Sequence, residues 1–190
     1  MNIIGYIASP RKAGDTAWAV SKILEGAKEQ GAQTQSFHSG ELDISPCKGC
    51  LGCVKSDRCV INDDMQKLYD VLEKADALVL GAPVYMGQMN AQAKIFTDRL
   101  FAQITPRFSP RFKEENAGKK LILVFTQGNP DPDKFKVYFD YTKDMFALLE
   151  FDVKELHVIV GTRNSPASER EDLLPVLKEA GSLLAKEELI

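Results

Sequence analysis

The chain has no apolar run approaching the roughly 20 residues that cross a bilayer, so no membrane span is expected. It has no excess of basic charge either: 24 lysines and arginines against 27 acidic residues give a net charge of −3. Nucleic-acid affinity needs clustered positive charge, and that class of function is not expected. Histidine is scarce. His38 and His157 sit in or beside strand-like runs, where a structural role is expected rather than acid–base work. Neither GxxxxGK[ST] nor GxGxxG occurs, which leaves a nucleotide triphosphatase and a dinucleotide fingerprint without support. The opening residues, MNIIGYIASPRK, carry their basic side chains after the apolar segment, the reverse of a secretory signal. Disulfide staples are then not expected, and the chain is read as cytoplasmic with reduced thiols.

Cysteine is missing from nearly the whole chain and concentrated in one place. Cys47, Cys50, Cys53 and Cys59 lie within 13 consecutive residues of the stretch SPCKGCLGCVKSDRCVINDD. The remainder is ordinary: 190 residues, 44 % hydrophobic and 27 % charged, enough for one well-buried core. A single domain over residues 1–190 is expected, with the cysteine-rich loop at about 45–63 and no internal repeat.

Strand and helix patterns alternate. Asn2 to Ala8 is a short apolar run that stops at Ser-Pro-Arg-Lys-Ala-Gly. From Thr16, Ala17, Val20, Ile23, Leu24 and Ala27 recur at helical spacing until Gly31. Trp18 falls at a helical position and is expected in the core. Gln33 to His38 reads as a polar edge strand. Met65, Leu68, Tyr69, Val71 and Leu72 mark a helix capped by Asp63 or Asp64. Ala77 to Ala82 and Lys119 to Thr126 are continuously apolar, as strands covered on both faces must be. Helices are expected at Ala91–Phe101, Asp133–Leu149 and Glu169–Lys186, and a last strand at Val153–Val160. Such alternation implies right-handed crossovers and an α/β fold with a parallel sheet. Gln103 to Gly118, with Arg107, Arg111 and Lys113 beside Phe108 and Phe112, reads as a solvated loop, a flap or an arm onto a neighbouring subunit.

In a doubly wound sheet, ligands sit beyond the carboxyl ends of the strands. Three such ends stand out here. SPRKAGDT (Ser9 to Thr16) leads straight into a helix, and its hydroxyls, its backbone amides and the positive helix terminus suit a phosphate. Arg11 and Lys12 add charge-assisted hydrogen bonds. APVYMGQMN (Ala82 to Asn90) displays Tyr85 and Met86 on a turn shaped by Pro83 and Gly87, against which a planar ring can lie. TQGNPDP (Thr126 to Pro132) allows close backbone approach at Gly128. Together they suit a planar cofactor that carries phosphate.

The cysteine spacing, C-x2-C-x2-C-x5-C, lets three thiolates converge from consecutive turns while the fourth closes a tetrahedral set. Zinc and iron–sulfur clusters both accept four thiolates. The compressed triple favours a cubane cluster, with Gly49 and Gly52 permitting the tight wrap. A zinc staple, a redox dithiol and unliganded thiols remain the alternatives.

SPRKAGDT, CKGCLGCVKSDRCVINDDM, ADALVLGAPVYMG, KIFTDRL and TQG follow one another in the order seen in iron–sulfur flavoproteins. The chain resembles that family, part of the larger NADPH-dependent FMN reductase group, from Asn2 to about Asn129. The resemblance implies a flavodoxin-like, doubly wound, five-stranded parallel sheet in order 2-1-3-4-5 with a cysteine-rich loop insertion. It implies one FMN and one [4Fe–4S] cluster per subunit, a homodimer or homotetramer, and electron donors such as ferredoxin or NAD(P)H. By the same resemblance, Ser9, Arg11, Lys12, Asp15 and Thr16 would hold the FMN phosphate. Pro83, Val84, Tyr85, Met86, Gly87, Thr126, Gln127 and Gly128 would meet the isoalloxazine ring, and Cys47, Cys50, Cys53 and Cys59 would ligate the cluster. No side chain is required as nucleophile or base. Relatives usually carry Asn where Asp15 stands and often Trp where Met86 stands. A carboxylate facing phosphate is repulsive, so Asp15 is expected to turn away and cap the helix. The function implied is an FMN- and cluster-containing oxidoreductase passing electrons to a small acceptor. The alternatives are a cluster-free flavin, quinone or nitro-compound reductase and a zinc-binding interaction module.

Overall fold

The structure, a computed structural model, describes residues 1–56, 58–103 and 118–186. Most of the segment Gln103 to Gly118, read above as a loop, flap or arm, lies outside them. Chain order is β1 (Asn2–Ile7), α1 (Asp15–Glu29), β2 (Gln33–His38), α2 (Gly52–Ser56), α3 (Met65–Lys74) and β3 (Ala77–Tyr85). Then come β4 (Gln88–Met89), α4 (Ala91–Arg99), β5 (Lys120–Thr126), α5 (Lys136–Leu148), β6 (Asp152–Ile159) and α6 (Leu173–Lys186).

The main sheet runs β2-β1-β3-β5-β6, every neighbouring pair parallel, with β4 folded back antiparallel on the end of β3. Leaving out that two-residue strand, the order is the expected 2-1-3-4-5. The polar strand β2 pairs only with β1 and stands at an edge, as its composition predicted.

Strands that look uniformly apolar in sequence sort their side chains by the pleat. Ile4, Tyr6, Leu78, Leu80, Leu121, Leu123 and Phe125 face α3, α4 and α5. Ile3, Ile7, Val79, Ile122 and Val124 face α1 and α6. Tyr6 stacks on Phe96 of α4 at 4.0 Å between ring centroids, and Phe125 on Phe139 of α5 at 4.6 Å. Each such fully buried side chain contributes roughly 1.5–3 kcal/mol relative to exposure. On the other face the approach is closer. A Cβ at Gly26 of α1 would sit 2.0 Å from the Lys178 carbonyl oxygen, and one at Gly181 of α6 would sit 1.8 Å from that of Ile23. These two helices touch backbone to backbone, which only glycine permits.

Because the sheet is parallel, the connections after β1, β2, β3, β5 and β6 all leave from one edge. Two expectations shift at that edge. The cysteine stretch, read as loop, contains the short helix α2, which includes Cys53. The last helix starts at Leu173 rather than Glu169, with Pro175 in its first turn, where a missing N–H costs nothing. Among the described residues no helix is long and apolar enough to cross a membrane.

Candidate functional site

The loop after β1 is held by its own polar groups. Ser9 is buried, and its hydroxyl accepts the Arg11 N–H at 3.1 Å, tightening the turn. Lys12 reaches Glu41 at 2.6 Å, and that ammonium holds the Glu41 carboxyl below its usual range. Gly14 precedes α1 with no side-chain cap, so the first amides of a 15-residue helix are left for another acceptor.

Asp15 turns away from those amides, but it does not cap the helix. Its Oδ1 accepts the Ala167 N–H at 2.8 Å, and its Oδ2 lies 3.5 Å from Arg11. The carboxylate therefore fastens the segment after β6 to the first loop. Thr16 is engaged as well: its hydroxyl lies 2.7 Å from that of Thr126, and both residues are buried. One hydroxyl must donate to the other, which leaves one proton of the pair for a further acceptor.

The loop after β3 is a tight hairpin. Met86 and Gly87 have φ of +51° and +82°, a succession that suits a two-residue turn closing antiparallel strands. Pro83 is buried, Val84 is half-buried, and Tyr85 and Met86 project outward, with Met86 wholly exposed. The Tyr138 hydroxyl accepts the Met89 N–H at 3.1 Å, tying the hairpin to α5. Asn90 is 1 % exposed and was not foreseen as part of the site. Its amide nitrogen donates to the Ala8 carbonyl at 2.6 Å, while its oxygen accepts the Ala93 N–H and caps α4.

On the loop after β5, Gln127 is buried and donates to the carbonyls of Asn129 and Asp131 at 3.2 and 2.7 Å. Its Oε1 is buried with no hydrogen-bond partner among the described residues. Gly128 is exposed, and a Cβ there would lie 3.5 Å from that of Arg163 on the loop after β6. Arg163 was also missed by the sequence reading. It lines a cavity of about 680 Å³ together with Arg11, Lys12, Trp18 and Thr162. Trp18, expected in the core, is only half-buried and borders this basic cavity.

The three loops are thus joined by their own bonds: Thr16 to Thr126 links the first and third, and Asn90, which was not foreseen, links the second to Ala8 of the first. Uncapped helix amides, a spare hydroxyl proton and nearby guanidinium groups are the donor set a phosphate needs. The buried, orphaned Gln127 oxygen is an acceptor poised for a donor. These residues fit FMN.

The cysteines are divided. Cys53 and Cys59 pack against the core, whereas Cys47 and Cys50 are exposed, and none of the four is in a disulfide. Burial pushes the Cys53 thiol up, and the neighbouring Cys59, Cys47 and Cys50 push in the same direction. Among the described residues, no three His, Cys, Asp or Glu side chains are arranged to hold a metal ion. The donor set fits four-thiolate ligation in its chemistry, while the sulfurs are not drawn together into a coordination shell.

Backbone contacts support the packed half. The Gln66 amide donates to the carbonyls of Cys59 and Ile61 at 2.8 and 2.6 Å. The Ser56 hydroxyl is placed 2.9 and 2.7 Å from the carbonyls of Gly52 and Arg58. A cavity of about 750 Å³ is lined by Cys47, Gly49 and Leu51 on one side and by Gln88, Met89 and Tyr138 on the other. The cysteine loop and the hairpin therefore share one space.

Comparisons with known proteins agree with this fold. An iron–sulfur flavoprotein of Methanosarcina thermophila is 40 % identical over 99 residues, 52 % of each chain. The chain spans about half the length of the curated relatives it matches. The solved structure of an NAD(P)H:quinone oxidoreductase from Methanothermobacter marburgensis superposes with a TM-score of 0.75 at 16 % identity, over 100 % of this chain and 99 % of that one. A FMN-dependent NADH-azoreductase of Bacillus anthracis, solved in complex with FMN, gives 0.66 at 15 % identity, over 97 % and 99 %. Residues 1–131 match the family described as NADPH-dependent FMN reductase, and the chain belongs to that family.

Proposed function

We propose that the protein is a flavin-dependent oxidoreductase that holds FMN on the loops after β1, β3 and β5 and a [4Fe–4S] cluster on Cys47, Cys50, Cys53 and Cys59. It would pass electrons from NAD(P)H or a ferredoxin-like donor to a small acceptor, as a homodimer or homotetramer. The observation that carries this reading is the shared cavity between the cysteine loop and the hairpin, at the one edge where the flavin loops are bonded together.

FMN supplies a two-electron carrier that releases electrons singly, and a cluster supplies a one-electron partner. The chain's own contribution is placement. The α1 amides, Ser9, Arg11, Lys12 and the Thr16–Thr126 pair would hold the phosphate. The hairpin from Pro83 to Gly87 would support one face of the ring with backbone rather than side chain. Gln127, whose Oε1 has no partner among the described residues, would accept a hydrogen bond from the cofactor. Asp15, turned onto Ala167, would keep its charge off the phosphate while it shapes the loop beside it.

Protein purified without air tests the reading. Flavin absorption with a broad shoulder bleached by dithionite, and about four iron and four sulfide per FMN, is expected. Flavin without iron would favour the cluster-free reductase. Colourless protein containing zinc would favour an interaction module.

A further inference from the structure

Arg99 belongs to KIFTDRL at the end of α4, on the face that also buries Phe96 and Leu100. Its side chain is 1 % exposed, and its partner Asp63 is 6 % exposed. Nη1 donates to the Ser45 carbonyl at 2.8 Å and to Asp63 Oδ2 at 2.6 Å; Nη2 donates to Asp63 Oδ1 at 3.0 Å. Asp63 in turn accepts the Ser45 N–H at 3.0 Å and the Met65 N–H at 3.1 Å. Residues 45 and 63 are the two ends of the segment that carries every cysteine. One guanidinium fastens both.

A planar fork matched to a carboxylate fixes direction as well as distance, which a lysine cannot do. Closing the ends of a long loop in advance removes entropy that a ligand held inside it would otherwise have to overcome. Two more observations bear on Arg99. Its Nε is buried with no hydrogen-bond partner among the described residues, a condition uncommon enough in folded proteins to require a reason. Tyr69 of α3 braces the same residue, its hydroxyl donating to the Arg99 carbonyl at 2.7 Å.

We propose that Arg99 is the positioning residue of the cysteine segment: it ties the two ends together and so keeps the four thiols within reach of the metal centre they take up. This rests on the reading of the segment as a cluster site.

Arg99→Met, Arg99→Lys, Asp63→Asn and the double variant Asp63→Asn/Arg99→Met, all purified without air, separate the parts. Arg99→Met should lose most of its iron while FMN occupancy stays at the wild-type level, and Asp63→Asn should lose iron as well. The double variant, which leaves no uncompensated buried charge and so is the safeguard if Arg99→Met fails to fold, should still hold less iron than wild type. Arg99→Lys, which keeps the charge but not the fork, should also lose iron. Proteolysis in a Cys50→Ser background, where the cluster is absent throughout, should nick residues 46–62 faster once Arg99 is replaced. Wild-type iron and nicking in the double variant and in Arg99→Met would overturn the proposal. Wild-type protein that contains no iron would instead overturn the cluster reading, and faster nicking would still uphold the tie.

Discussion

The loop after β1 and the loop after β2 leave the same sheet edge side by side, and they are built in different ways. In the first, from Ser9 to Thr16, nearly every polar group is engaged by a neighbour in the protein: Ser9 by Arg11, Asp15 by Ala167, Thr16 by Thr126. Its shape exists before any ligand arrives, so little ordering cost falls on binding. The second is fixed at its ends, through Arg99, Asp63 and Ser45, and packed on one flank only. Cys53 and Cys59 touch the core while Cys47 and Cys50 stand in solvent. A preformed loop tolerates loss of its ligand. A loop whose sulfurs are not yet gathered gains its final form from what it binds.

That contrast can be broken by substitution. The largest effect belongs to Cys50→Ser, which should abolish iron binding while FMN occupancy, read from absorbance after anaerobic purification, stays at the wild-type level. Loss of both would mean that the second loop also builds the flavin pocket. Next comes Gly81→Val. A Cβ at Gly81 would lie 2.4 Å from Val20 Cγ2 and 2.9 Å from Thr16 Cγ2, pushing the start of α1 off β3. Overpacking of this kind costs roughly 1–3 kcal/mol, and thermal denaturation should show it together with weaker FMN binding. A smaller effect is expected from Thr16→Val and Thr126→Val, whose coupling in a double-mutant cycle should be about 1 kcal/mol. Additive losses would mean the two hydroxyls do not stitch the first loop to the third.

The smallest is a pH effect on the second loop. Burial opposes ionisation of Asp63, but hydrogen bonds from Arg99, Ser45 and Met65 outweigh it and hold the carboxyl below its ordinary 3.8. A depressed carboxyl contributes stability that is complete above the unfolded value and is lost as pH falls through the folded one. The stability advantage of wild type over Asp63→Asn should therefore be constant above about pH 5 and shrink below about pH 4. A gap that stays level into acid would show that the carboxylate charge is not what holds the loop ends.

The fold was legible because its signals are local. Continuous apolar runs at Ala77–Ala82 and Lys119–Thr126, helical spacing from Ala17 to Ala27 and the polar strand Gln33–His38 each carry their own periodicity. The hairpin strand β4 was missed because two residues have no period to read. Within the site, loop positions could be named but their partners could not, since those lie far away in sequence: Thr16 and Thr126 are 110 residues apart, Asp15 and Ala167 are 152. For that reason Asp15 was expected at the helix cap and is found on the loop after β6. Arg163 and Asn90 were overlooked for the same reason. Arg99 did carry a signal. A charged residue three positions after Phe96, on the apolar face of its helix, must find a buried carboxylate, and Asp63 had been considered only as a cap.

The contact between Gly26 and Gly181 bears on how the protein is made. In chain order α1 precedes α6 by more than a hundred residues, so α1 gains its backbone-to-backbone neighbour only once α6 has been made. Until then one flank of the helix that follows the first loop is bare, so the candidate site is shaped late in folding by a helix that contributes no side chain to it.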